Sequence, residues 1–362
     1  MQIIVAAYNR PKALHNMLKS LCKATKQASI ALTISIDFSD RQAEVYAIAN
    51  GFEWEFGAKN IIQHDIHWGL KKHILNLISK IEKQDTPTLI LEDDLYITDN
   101  YHQYIQEATN YYHTYKNICG ISLYHHPYHY LTELPFWPVF DGSDVYFMQY
   151  PSSSGFVLFP WAAKEFLNWV ENKNEEYLYT LPMPEKIAAW PSNSWKKWLC
   201  GWMVEHDKYM VYPRASFTTN TGAAGEHHRK RSNQFQSNLW VGFNSNARFK
   251  TLAESMAVYD SYMEHIPIEN TSFDIYGQKK PIHIFTEKVL TSQNIPNPEK
   301  TFALDFKPPE LNYINTLEGT GLNLVKSANK NIYNIVPQHL VNYFIPQSSP
   351  GLWLRNWIRG KV

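Results

Sequence analysis

Apolar and polar positions alternate in blocks along the first third of the chain. Ile3 to Ala7 is a short apolar run, and "YNRP" breaks it. Runs of this length bounded by breakers read as buried strands. Pro11 suits the first turn of a helix, where no N–H is needed, and Leu14, Met17, Leu18 and Leu21 follow at helical spacing. Ile30 to Ile36 predicts a second strand that ends at Asp37. "SDRQAEVYAIANG" predicts a short helix closed by Gly51, and "NIIQHD" a third strand. Leu70, Ile74, Leu77, Ile78 and Ile81 mark another helix. Thr88 to Leu91 predicts a fourth strand that runs directly into Glu92, Asp93 and Asp94. Beyond it lie a helix over "TDNYHQYIQEATNYYHTY", with Asp99 placed to cap it, and a strand over "ICGISLY". Strands separated by helices of this length predict an α/β fold with a mostly parallel sheet flanked by helices.

The texture changes at His125. "HHPYHYLTELPFWPVF" is rich in Pro and aromatics and reads as loop. "PSSSG" precedes a helix from about Pro160, with Phe166, Leu167 and Val170 inward. Trp195, Trp198, Leu199 and Trp202 mark a further helix, and "YMVYPRASF" is strand-like. "TNTGAAGEHHRKR" is a glycine-bearing loop. A helix is expected around Leu252 to Met263, followed by a Pro-punctuated tail.

In parallel sheets, ligands bind beyond the carboxyl ends of the strands. "YNR", "DFSD" and "EDD" all fall at that edge. Carboxylates there suit Mg²⁺ or Mn²⁺, which prefer oxygen ligands and leave positions for phosphate oxygens. Asp37 can accept hydrogen bonds from a base or ribose, or act as a turn acid bonded to nearby backbone. No GxGxxG and no GxxxxGK[ST] occurs, which speaks against a dinucleotide fold and a P-loop. "YHHPYHY" offers His125, His126 and His129 either as metal ligands or among aromatics lining a cleft.

Composition narrows this further. Lys plus Arg is 34 and Asp plus Glu is 34, so nothing global draws the chain to nucleic acid. Trp 12 and Tyr 23 suit carbohydrate faces as well as cores. Cys22, Cys119 and Cys200 suggest neither a zinc set nor a disulfide framework. The chain shows no signal peptide and no spanning apolar stretch, so a cytoplasmic setting is expected.

"IIVAAYNRP", "ISID" and "LILEDDLYITDNYHQYI", in that order, resemble the GT-A glycosyltransferases. The similarity is to the N-acetylglucosaminyltransferase type that starts complex N-glycans and to bacterial polysaccharide (family 2-like) glycosyltransferases. "PSSSGF" and "SFTTNTGAAGEHH" are similar to later segments of the same family. The resemblance implies a catalytic domain over 1–245, with a nucleotide-sugar half (1–124) and an acceptor half (125–245). Residues 246–362 form an extension it does not cover. It implies Mn²⁺ or Mg²⁺ on Asp94, with Asp93 and Glu92 on ribose or on the metal through water. Tyr8, Arg10 and Asp37 would hold base and ribose. Lys71 or Lys72 would lie near the diphosphate or base. His227, or its neighbour His228, would close the site over the metal. The implied reaction moves a sugar from a nucleotide-diphosphate donor to a hydroxyl of a glycan or lipid-linked acceptor, as in bacterial surface polysaccharide, capsule or lipopolysaccharide synthesis.

One segment departs from the family. Inverting members carry an acidic general base where this chain has "SWKKWL", with Lys196 and Lys197. An ammonium cannot accept that proton unless burial strongly lowers its pKa. Glu185, Asp144 and Glu226 are the candidates for the base, beside Glu205, Asp207 and Asp141. The departure keeps open a retaining reaction and an inactive glycan- or nucleotide-sugar-binding protein. A sugar nucleotidyltransferase is a further alternative, although it usually begins with a glycine-rich basic loop. At the end, "GLWLRNWIRGKV" places Trp353, Leu354, Trp357 and Ile358 on one helical stripe beside Arg355, Arg359 and Lys361. Such a helix can lie peripherally at the inner membrane face or dock on the catalytic domain.

Overall fold

The computed structural model describes residues 1–83, 86–130, 136–222, 235–241, 246–263, 265–266, 288–291, 297–306, 311–312 and 317–326. Two compact units divide the chain. The larger comprises 1–125, 144–183 and 187–249; the smaller comprises 126–143, 184–186 and the residues from 250 onward.

The larger unit begins with β1 (Gln2–Ala7), α1 (Pro11–Ala24), β2 (Ala31–Ile36), α2 (Gln42–Gly51), β3 (Lys59–Gln63) and α3 (Gly69–Ile81). β4 (Thr88–Glu92) and β5 (Leu95–Ile97) flank the acidic turn, before α4 (Tyr101–Tyr112) and β6 (Ile118–Ser122). Then come β7 (Val145–Met148), β8 (Phe156–Leu158), α5 (Pro160–Glu171), α6 (Glu175–Leu178), α7 (Glu185–Ala188, its first two residues assigned to the smaller unit), α8 (Trp195–Glu205), β9 (Tyr209–Pro213) and β10 (Thr218–Asn220).

The central sheet of this unit runs β7-β9-β6-β8-β4-β1-β2-β3. β1 pairs parallel with β2 and β4, β2 with β3, and β6 with β9. The expected mixed α/β fold, a mostly parallel sheet flanked by helices, is what the chain adopts. β8 and β7 are antiparallel entries that the sequence pattern does not announce. Both are buried throughout, so neither shows a polar alternation.

The core follows from the helical stripes. Leu14, Met17, Leu18 and Leu21 of α1 are fully buried, as are Ile74, Leu77, Ile78 and Ile81 of α3. Each such side chain contributes about 2 kcal/mol by leaving water. Three details differ from the sequence pattern. Gly51 is the last residue of α2, and Phe52 ends the helix in extended backbone. The N-cap of α4 is Asn100, in left-handed backbone with φ 70°, and Asp99 does not cap it. No helix covers Leu252 to Met263: this part of the smaller unit holds turns and the short β11 (Val258–Tyr259). Ser255, Ala257, Val258, Tyr259, Ser261, Tyr262 and Met263 are all buried there, a nearly continuous run that leaves no exposed helical face. The Asp141 carboxylate of the same unit fixes this segment by accepting from Ser255 Oγ at 2.7 Å and Met256 N at 3.0 Å.

The smaller unit also holds a sheet of β12 (Lys288–Thr291), β13 (Lys300–Phe302) and β14 (Leu322–Lys326), ordered β12-β14-β13. Glu226, His227, His228 and the terminal stripe from Gly351 lie outside the described residues. Among those described, no helix is long and apolar enough to cross a membrane.

Candidate active site

β1, β2 and β4 are mutually parallel, so their carboxyl ends share one edge. Leu89, Ile90 and Leu91 are fully buried, and Glu92, opposite Ala6 of β1, is where β4 reaches that edge. The chain turns at Asp93 and Asp94 and returns through β5. Both acids stay buried, at 2% and 7% exposure, and a charge so placed needs partners.

Arg10, just before α1, supplies them. One arm of its guanidinium donates to Asp94 Oδ2 at 2.8 Å and the other donates to Asp93 Oδ1. The backbone N–H of Tyr8 donates to Asp93 Oδ2 at 3.2 Å. Asp94 Oδ2 also accepts from Asn220 Nδ2 at 3.0 Å, and the Asp94 carbonyl accepts from Thr221 N at 2.9 Å. Asn220 is positioned because β10 pairs antiparallel with β5, setting Asn220 opposite Leu95. Among the described residues, Asp94 Oδ1 is buried without a hydrogen-bond partner.

The electrostatics reflect this crowding. Burial, reinforced by Asp94, pushes Glu92 up to about 8. Burial pushes Asp93 up to about 6, against the pull of Arg10. For Arg10 burial pulls downward, but Asp93 and Asp94 outweigh it and hold the guanidinium above its usual range. A second cation faces Glu92. Lys196 interacts with Glu92, and burial brings its ammonium down to about 8. Its Nζ stands 4.9 Å from the Tyr150 ring centre and 5.4 Å from that of Trp190.

Asp37 ends β2 at the same edge but does something different. Its Oδ1 accepts from Phe38 N and Trp68 N, and its Oδ2 from Gly69 N, each at 2.9 Å. His67 Nδ1 lies 3.2 Å from Oδ2. The carboxylate thereby caps the start of α3 and ties it to β2. Tyr8 and His67 bring their rings to 5.2 Å above this latch. Beneath it, Ser35 Oγ lies 2.8 Å from His73 Nε2 and 3.2 Å from His64 Nε2. One hydroxyl can donate to one ring and accept from the other, which ties both imidazoles to the end of β2.

The other sequence candidates are placed elsewhere. Lys71 Nζ sits 3.9 Å from the Trp198 ring centre, packed on α8. Lys197 is buried and donates to Trp190 O at 2.8 Å, with Glu175 Oε2 at 3.1 Å. Asp144 is bound by both arms of Arg248, whose hydrogen bonds hold it below the usual carboxylate range. Glu205 accepts from Trp169 Nε1 and Tyr177 Oη, each at 2.9 Å. Asp207 accepts from Tyr209 Oη at 3.0 Å. Glu185 is exposed at the first position of α7. Burial keeps His125 down to about 4 and His129 down to about 3, so both are neutral near pH 7. Asn220 and Lys196 are the additions that the sequence did not single out for this edge. Asn220 lies inside "SFTTNTGAAGEHH", and Lys196 is one of the two lysines that depart from the family pattern.

An oxygen-rich edge with one buried carboxylate oxygen unpartnered fits a hard divalent cation. Among the described residues, no group of three or more His, Cys, Asp or Glu side chains forms a cage for a metal. Mg²⁺-type sites of this kind take one or two protein carboxylates and complete their shell with phosphates and water.

No protein-family model matches the chain, and no curated protein matches it. Solved structures do. Mouse xyloside xylosyltransferase 1, in its apo form, is similar over 57% of this chain and 82% of its own, at 12% identity and a TM-score of 0.37. S. aureus TarS 1–349 is similar over 61% of this chain and 60% of its own, at 12% identity and a TM-score of 0.36. The same TarS segment in complex with UDP is similar over 60% of this chain and 59% of its own, at 11% identity and a TM-score of 0.34.

Proposed function

We propose that this chain is a metal-dependent glycosyltransferase of the GT-A type. It moves a sugar from a nucleotide-diphosphate sugar to a hydroxyl of a glycan or lipid-linked acceptor, in bacterial surface polysaccharide synthesis. The observation that carries the reading is Asp94. This buried carboxylate ends a parallel strand, and Arg10 and Asn220 fix one of its oxygens while the other has no partner among the described residues.

Charge supports the same reading. Glu92, Asp93 and Asp94 face Arg10 and Lys196, a net negative charge when all are ionised. A diphosphate arriving at this edge adds more negative charge, which a divalent cation offsets. When bound, Mn²⁺ or Mg²⁺ neutralises charge on the departing diphosphate. The chain's own residues prepare that event. Arg10 holds Asp93 and Asp94 in one orientation, and Asn220 fixes the rotation of the Asp94 carboxylate. Tyr8 and His67 offer ring faces for a base. Asp37 braces the start of α3, and any contact to ribose adds to a carboxylate already bonded to backbone.

One observation favours a second reading, a binding protein that kept the fold. Lys196 and Lys197 stand where the resemblance expects the base, and Lys196 faces Glu92 as a cation. Nucleoside diphosphate release from UDP- and GDP-sugars, with and without Mn²⁺, separates the two. Release that needs Mn²⁺ and disappears in Asp94→Ala supports the transferase. Mn²⁺-dependent thermal stabilisation by a sugar nucleotide without release supports the binder. Absence of both sinks the nucleotide-sugar reading altogether.

A further inference from the structure

A cavity of about 150 Å³ opens in the larger unit, away from the acidic turn. One wall is aromatic. Tyr104 and Phe217 stack at 4.7 Å with 21° between planes, and Phe217 and Trp240 at 6.2 Å with 26°. The other walls carry planar polar groups: Asn100, Gln103, Glu107, Asp144 and Arg214. Glu107 is oriented by Gln103 Nε2 at 2.7 Å and by Ala247 N at 3.1 Å. Asp144 is oriented by Arg248. Glu107 and Asp144 are matched by Arg214 and Arg248, so the cavity has no net charge to offer an ion. Its volume is well below the roughly 300–1,000 Å³ of pockets for drug-sized ligands. A small, uncharged guest with one apolar face and a rim of hydroxyls matches all of these features.

We propose that this cavity binds a single neutral pyranose unit, its C–H face on the aromatic wall and its hydroxyls on the carboxylate and amide rim. Ring stacking provides the contact, and the oriented planar groups choose among sugar hydroxyls. The position adds a role. Phe217 precedes β10, whose pairing with β5 runs from Thr218–Ile97 to Asn220–Leu95, and Asn220 holds Asp94. Three residue steps along the strand lead from Phe217 to Asn220, about 10 Å. That short strand links the cavity wall to the acidic edge. The cavity therefore takes an acceptor unit remote from the bond being made, an identification that rests on the glycosyltransferase reading. Asp144, a candidate base from sequence, becomes part of this rim.

Saturation-transfer NMR and calorimetry with the methyl glycosides of glucose, galactose and N-acetylglucosamine test the proposal on the full chain. At least one should bind the native protein and Asp94→Ala equally. Trp240→Ala and Glu107→Gln should each weaken it by at least about fivefold, and Trp240→Phe, which keeps a stacking face, by less. Binding of none of the three glycosides overturns the proposal. So does binding that survives Trp240→Ala, or that uridine displaces. Glycoside binding with no UDP binding leaves the cavity assignment standing and removes the glycosyltransferase reading instead.

Discussion

Asp37 and Asp94 end neighbouring parts of the same sheet edge, and their surroundings set them apart. Around Asp37 both oxygens receive backbone N–H groups from Phe38, Trp68 and Gly69. Around Asp94 one oxygen receives Arg10 and Asn220, and the other receives nothing among the described residues. A carboxylate saturated by backbone is a structural joint. A buried carboxylate with an oxygen to spare is unfavourable unless something binds there, because its desolvation is uncompensated. Sheet position alone does not distinguish a functional acid from a structural one; partner count does.

Substitutions at the two ends should therefore fail differently. The largest effect is expected from Asp94→Ala, which should lower sugar-nucleotide turnover on the order of 10²- to 10³-fold while leaving the fold in place. Unaltered turnover would erase the distinction. Next comes Arg10→Met, which strands two buried acids and should cost about 3 kcal/mol of stability near pH 8 by denaturant unfolding. That cost should shrink as the pH falls toward 6, because without the pull of Arg10 the Asp93 carboxyl takes up its proton at higher pH than in the native protein. Asp37→Asn should cost about 2 kcal/mol, because its amide turns a donor toward one of the N–H groups at the head of α3. Its signature is faster hydrogen exchange at Trp68 and Gly69, with little change in affinity for Mn²⁺. A metal affinity that collapses with Asp37→Asn would show the two acids to be one site.

The smallest effect is a pH slope. Glu92 and Asp93 hold protons more tightly folded than unfolded, so they destabilise the fold as pH rises from about 4 toward about 8. His73 works the other way: burial lowers it to about 4, so its contribution grows as pH rises to about 6.5. Between roughly pH 6.5 and 7.5 Glu92 should dominate the slope, with melting temperature falling, before deprotonation of Lys196 near 8 opposes it. Glu92→Gln should flatten that interval, and an unchanged slope would mean that Glu92 is not held protonated.

Much of this edge was legible in the chain. Apolar runs ending in "YNR", "DFSD" and "EDD" located three parallel strand ends, since strand length and helical spacing are local properties. Asn220 was not legible as a partner of Asp94, because the two lie 126 residues apart in sequence and meet only through the pairing of β10 with β5. The role of Lys196 was hidden for a similar reason: α8 brings it to Glu92 only in three dimensions. β7 and β8 escaped because fully buried strands carry no alternation to read. Asp37 was legible as an edge acid, but only the fold shows what it holds.

The latch at Asp37 has one more consequence. The first N–H groups of a helix carry partial positive charge, and many α/β proteins place a phosphate there. Here the protein's own carboxylate already fills that position at α3. An incoming anion finds this helix start closed. Phosphate arriving beside α3 is left to side-chain or bound cations, which hydrate, exchange and titrate in ways that backbone amides do not.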